Sequence, residues 1–135
     1  MPHLKRLLAP SFWKLAKKEK KWVATPHAGP HPKLQCIPLS LILKHILKLT
    51  DTTTEAKKVI RKGEVFVDGK RRKDHAYPVG LFDVVQIPSI KKAYRIVPRK
   101  NGLELVEIAD NEVNLKICKI MGKNIIKKGK IQKIY

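Results

Sequence analysis

"GEVFVDGKRRKDHAYPVG", residues 63–80, carries the turn on which the fold depends. Val65 and Val67 alternate as one face of a half-buried strand. Asp68-Gly69 suits a tight hairpin, whose two central residues need positive φ. Beyond the turn stand Lys70, Arg71, Arg72 and Lys73. Four cations in a row do not describe a buried return strand. They read as the edge of a charged surface held on a small core.

Working upstream, "TDTTTEAKKVIRKG" (50–63) predicts a helix with defined ends. Thr52 and Glu55 form a capping-box pair, and Gly63 suits the left-handed position after the last turn. Ala56, Val59 and Ile60 face the core, while Lys57, Lys58, Arg61 and Lys62 face out. Before it, "LSLILKHILKL" (39–49) predicts another helix. Leu39, Ile42, Leu43, Ile46 and Leu49 make its apolar stripe, with Ser40, Lys44 and Lys48 opposite. Downstream, Pro78 and Gly80 punctuate a loop, and 83–87 closes the unit as a strand. Residues 39–91 are thus expected to form a compact α+β unit of two helices and a small sheet.

Residues 1–38 read as an extended basic arm, with eight Lys/Arg against the single acid Glu19. One short helix is expected around 11–21, with Ser11 as its N-cap. Pro26, Pro30, Pro32 and Pro38 then keep the backbone extended. Trp13 and Trp22 are large for a free tail. They either stack on a partner's bases or pack on the core. Residues 92–135 alternate apolar and polar side chains in "AYRIVP", "LELVEIA", "LKICKIMG" and "KIQKIY", which predicts antiparallel sheet. Cys118 is expected to pack as a small apolar residue. The chain reaches Tyr135 inside a predicted strand with no evident partner, an exposed edge that suggests a longer natural protein.

The whole chain has 135 residues, 30 Lys/Arg and 11 Asp/Glu, for a net charge of +19. Self-repulsion at that charge opposes compaction unless an anionic partner neutralises it. Nucleic acid is the leading partner, because its phosphates release condensed counterions when cations bind. An anionic membrane surface is the rival, although no apolar run approaches the ~20 residues of a spanning helix. Cys36 and Cys118 show no metal-ligand spacing, and the prolines of "TPHAGPHP" deny His27 and His31 a shared helical face. No carboxylate pair, nucleophile–base set or Walker pattern appears. No catalytic residue, metal site or cofactor is therefore expected.

Ala56, Val59-Ile60, Gly63, Val65, Val67-Asp68-Gly69-Lys70, Asp83-Val84 and Ile87 resemble the S-four RNA-binding domain. "HLKRLLAPSFW" (3–13), "GPHPKLQCIPL" (29–39), "YPVGLFDVV" (77–85) and "KICKIMGKNIIKKGKIQ" (116–132) narrow the likeness. Together they resemble the archaeal and eukaryotic small-subunit ribosomal protein family S-four-e. Thr52-Thr53-Thr54 departs from the domain's usual small residue followed by Arg, so no role is carried over there. Family members usually continue through a barrel-like module with a KOW motif. This chain is either a shortened relative or a protein seen in part.

The resemblance implies a structural constituent of the cytoplasmic small ribosomal subunit that binds and stabilises ribosomal RNA. Its partners would be small-subunit ribosomal RNA and neighbouring ribosomal proteins, with no membrane and no homo-oligomer. The expected architecture is α+β in three parts: an arm (1–38), an S-four-like domain (39–91) and a β-rich region (92–135). Expected RNA-binding cations are Lys5, Arg6, Lys14, Lys17 and Lys21 on the arm. Lys57, Lys58, Arg61 and Lys62 follow on the second helix, and Lys70, Arg71, Arg72 and Lys73 after the turn. Tyr77, Pro78 and Phe82 are expected to shape the closing loop.

Overall fold

The computed structural model describes residues 3–126 and 129–135. Its centre is a five-stranded antiparallel sheet built from β4 (Phe66–Val67), β5 (Lys70–Arg71), β7 (Val84–Ile87), β8 (Lys92–Arg99) and β9 (Gly102–Ile108), in the order β5-β4-β7-β8-β9. The predicted reversal at Asp68-Gly69 is present, with φ of 51° and 76° at its two central residues. Asp68 is further tied to β7, since its Oδ1 accepts from the Val84 N–H at 3.0 Å. The cations after the turn do pair: Lys70 lies opposite Val67 and Arg71 opposite Phe66, at the sheet's outer edge. An edge strand that is charged on both faces discourages further strand addition.

Helix α2 (Thr53–Lys62) forms as its sequence dictates. Thr52 and Glu55 complete both bonds of the capping box, and Gly63 takes φ 79°. Ala56 and Ile60 are fully buried, and Val59 packs beside them. The preceding helix differs from expectation. Only Leu39–Leu41 is α-helical (α1), and Ile42–Ile46 widens into a π turn, with Leu47 N–H donating to Ile42 C=O at 2.9 Å. A π turn rotates less per residue, so the apolar stripe drifts out of phase. Leu39, Ile42 and Leu43 stay buried, but Leu49 turns outward and Ser40 turns inward.

The "YPVG" run is not a loop but carries a short strand, β6 (Pro78–Gly80), paired antiparallel with β3 (Cys36–Pro38). Three of its four residues have a defined packing role. Tyr77 lies under the Arg72 guanidinium at 4.5 Å, and Val79 is in the core. Gly80 seats the His31 ring against its bare Cα, where a Cβ would collide with the imidazole.

Residues 3–38 hold no helix over 11–21. That stretch has instead a 3₁₀ turn at Ser11–Trp13, ended by Lys14 in the left-handed region at φ 53°. Trp13 is buried, and its indole N–H donates to Cys36 C=O at 2.8 Å. Leu4 and Leu15 join the same core, and β1 (Leu4–Lys5) pairs with β2 (Trp22–Val23). The N-terminal segment therefore lies on the domain through apolar anchors.

At the other end, "LKICKI" forms no strand, and Cys118 is exposed. The terminal strand does find a partner: β10 (Lys123–Ile126) pairs with β11 (Lys130–Ile134), and Tyr135 closes on Gly122. The two cysteines should thus differ in reactivity. Burial pushes the Cys36 thiol up to about 11, whereas Cys118 stands in solvent. Only a thiolate is nucleophilic. Iodoacetamide at neutral pH is expected to alkylate Cys118 alone in the native chain, and Cys36 only after unfolding, as read by peptide mass.

Candidate nucleic-acid interface

The exposed face of α2 presents the expected ladder. Lys58, Arg61 and Lys62 are exposed and Lys57 is half-buried, spaced so that i and i+4 pairs align. The turn is brought to the same end of the helix. Arg71 runs its methylenes over Gly63, where only a missing Cβ leaves room, and its guanidinium sits 5.5 Å above the Phe66 ring. His75 lies beside Lys57 and Arg61. Burial, then Lys57, with smaller contributions from His27 and Arg61, holds its imidazole below the usual 6.5 against the pull of Asp74. His27 bonds Asp74 at 2.9 Å and packs edge-on to His75. The surface thus joins helix, turn and the segment after it.

Two predicted cations have other duties. Arg72 is half-buried against Tyr77, with its Nε buried, and its backbone N–H donates to Val65 C=O at 3.1 Å. Arg6 donates from Nε to Ala16 C=O at 3.3 Å and from Nη2 to Leu15 C=O, bracing the N-terminal segment. Lys70 and Lys73 are exposed. Among the described residues, none of the predicted RNA-binding cations is paired with a carboxylate.

On the N-terminal segment, Lys5, Lys17 and Lys21 line one concavity together with Arg6, Lys18 and Lys20. The last two are additions to the predicted set. They stand in the same "KKEKK" run, and only the path of the backbone selects among its members. Lys14 is elsewhere, beside Lys100 and Asn101 at the β8–β9 turn. Six side chains of one sign around one hollow concentrate positive potential there.

A polar network ties these surfaces together. Asp83 is 1% exposed and accepts from the Gly80 N–H at 3.0 Å and from Lys116 Nζ at 2.6 Å, with His31 Nε2 at 2.8 Å. Lys116 also donates to Asp68 at 2.6 Å. Burial works against charge on Lys116, but its bonds to Asp68 and Asp83 prevail and raise it above the ordinary 10.5. Asp68 is likewise opposed by burial, yet the Lys116 bond and the Val84 N–H bring it below 3.8. One carboxylate therefore joins the N-terminal segment, the hairpin unit and the C-terminal segment, all distant in sequence.

No helix among the described residues is long and apolar enough to cross a membrane. The chain matches three family models in order. These are the RS4NT (NUC023) domain over residues 2–34, the S4 domain over 39–85 and the ribosomal family S4e over 90–134. It is 45% identical over 131 residues to small ribosomal subunit protein eS4 of Methanocella arvoryzae, covering 96% of this chain and 55% of that protein. It is also 45% identical over 133 residues to eS4 of Sulfolobus acidocaldarius, covering 98% and 54%. The crystal structure of 30S ribosomal protein S4e from Thermoplasma acidophilum superposes with a TM-score of 0.56 at 31% identity, covering 73% of this chain and 50% of that one. The chain spans about half the length of the curated relatives it matches.

Proposed function

Because the chain belongs to the S4e family of ribosomal proteins, we propose that it is a structural, non-catalytic constituent of the cytoplasmic small ribosomal subunit. It binds small-subunit ribosomal RNA through phosphate-directed cations and abuts neighbouring ribosomal proteins. The observation that carries the reading is the joined set on α2 and the turn, with no carboxylate partner among the described residues: Lys57, Lys58, Arg61, Lys62, Lys70, Arg71 and Lys73. The N-terminal group of Lys5, Lys17 and Lys21 supplies a second footing, with Lys14 a separate contact. Arg6 and Arg72 act chiefly by holding their segments in place.

A-form RNA hides its base edges in a deep, narrow groove, so a rigid array of cations reads backbone shape instead. We read the chain as an N-terminal segment (1–38), an S4-type unit (39–91) and a β-rich region (92–135), the first two sharing the work of gripping RNA. The intact chain is expected to bind structured RNA with log K falling steeply and linearly against log salt, by roughly 0.7–0.9 per phosphate neutralised. A salt-independent affinity, measured by filter binding, would refute the electrostatic mechanism.

A further inference from the structure

A cavity of about 270 Å³ lies between the N-terminal segment and the first helix. Its walls include Leu15, Val23, Ala24 and Leu41, with Trp22 at its side. Ser40 also lines it, and the Ser40 hydroxyl is buried without a hydrogen-bond partner among the described residues. Lys20 from the N-terminal segment and Lys44 from the π turn both line it, with Glu19 as the one acid among the lining residues. Burial, and then the adjacent Lys20, hold the Lys44 ammonium below its ordinary 10.5, while Glu19 pulls the other way. Two ammoniums brought together by separate elements repel each other until an anion comes between them.

We propose that this cavity receives one unpaired RNA base extruded from its stack, with the flanking phosphate held between Lys20 and Lys44. The proposal rests on the RNA-binding reading above and adds a specific subsite to it. Apolar walls suit the faces of a base, and the size, just below the ~300–1,000 Å³ of ordinary ligand pockets, suits a single ring system. Proteins that recognise RNA commonly take up splayed bases from bulges and loops beside aromatic side chains. Trp22 is 47% exposed, with His3 tilted against its ring at 5.3 Å and Lys21 Nζ 5.5 Å from its centroid, so a base would meet the part of the ring these two leave open. An apolar side chain from a neighbouring protein would fill the walls but leave Glu19 alone to offset two ammoniums.

The test titrates the intact chain with two RNA hairpins, identical except that a single bulged adenosine in one is an abasic ribose in the other. The adenosine hairpin is expected to bind about tenfold more tightly, the scale of one stacked base. Ala24→Leu, which narrows the cavity, is expected to abolish that preference and leave the abasic affinity unchanged. Should Ala24→Leu fail to fold, as judged by its melt, the two hairpins on the unaltered chain decide alone. Equal, salt-sensitive affinities for both hairpins would overturn the base subsite and leave the phosphate reading standing. A preference that survives in folded Ala24→Leu would also overturn it, and no binding to either RNA would overturn both.

Discussion

Replacing Lys57, Arg61 and Arg71 together by glutamine is expected to lower affinity for structured RNA on the order of a hundredfold at low salt and to flatten the salt slope by roughly 2 to 3. The reason is local. Lys57 and Arg61 lie on α2 beside His75, Arg71 is folded across Gly63 at the end of that helix, and none of the three is paired with an acid among the described residues. Each is therefore free to neutralise a phosphate. Stability should fall by only about 1 kcal/mol, mainly through the exposed contact of Arg71 on Phe66. Affinity and melting temperature measured on the same preparation separate lost contacts from lost fold. A triple variant with an unchanged salt slope would show that these cations face solvent.

The second large effect concerns stability. Asp83→Ala is expected to destabilise the fold by about 3 kcal/mol or more, because removing one partner of a buried charged network strands the others. The Gly80 N–H and His31 would be stranded, and Lys116 would keep only Asp68. On a domain of this size that lowers the melting temperature by about 10 °C. Lys116→Met should cost far less, about 1 kcal/mol, because the lysine is partly exposed and leaves Asp83 with two partners. The gap between the native chain and Lys116→Met also has a defined pH window. Asp68 titrates lower when folded, so its share is complete above about pH 3.8 and lost as pH falls through the folded value. Lys116 titrates higher when folded, so its share is complete below 10.5 and lost as pH rises beyond that. Thermal melts of the three proteins across pH read all of these effects. An Asp83→Ala chain as stable as the parent would remove the network from the account.

Features written in adjacent residues were legible from the sequence. The capping box of Thr52 and Glu55, the left-handed Gly63 and the Asp68-Gly69 turn each involve a few neighbouring positions, and each is found where expected. The first helix was only partly legible. Its stripe fits an α-helix, but Ile42–Ile46 forms a π turn and Leu49 beyond it is exposed. Alternation misled at "LKICKI", because a two-residue period marks a strand only where a neighbour supplies hydrogen bonds, and no strand among the described residues pairs there. Trp13 could be read either as a base-stacking group or as core, and the fold places it in the core.

The candidate interface was legible as a list of cations and much less so as a surface. Sequence cannot tell a cation that faces out from one that braces the chain. Arg6 and Arg72 look like their neighbours in the sequence but also contact backbone carbonyls and an aromatic ring within the protein. Lys18 and Lys20 were left out of the predicted set although they share the hollow with Lys17 and Lys21. The Asp83 network joins residues 31, 68, 83 and 116, a set that no periodicity connects. The value of "YPVG" lies in the same long-range packing, with Gly80 receiving the His31 ring.

The central claim is membership of the small subunit through direct RNA binding. Its most direct test is to express the tagged full chain in cells of its own source and resolve the lysate on a sucrose gradient in high salt. The account predicts that most of the chain sediments in the small-subunit peak and is released to the top after ribonuclease treatment. A chain found mainly at the top before ribonuclease, with little in the subunit peak, would contradict it.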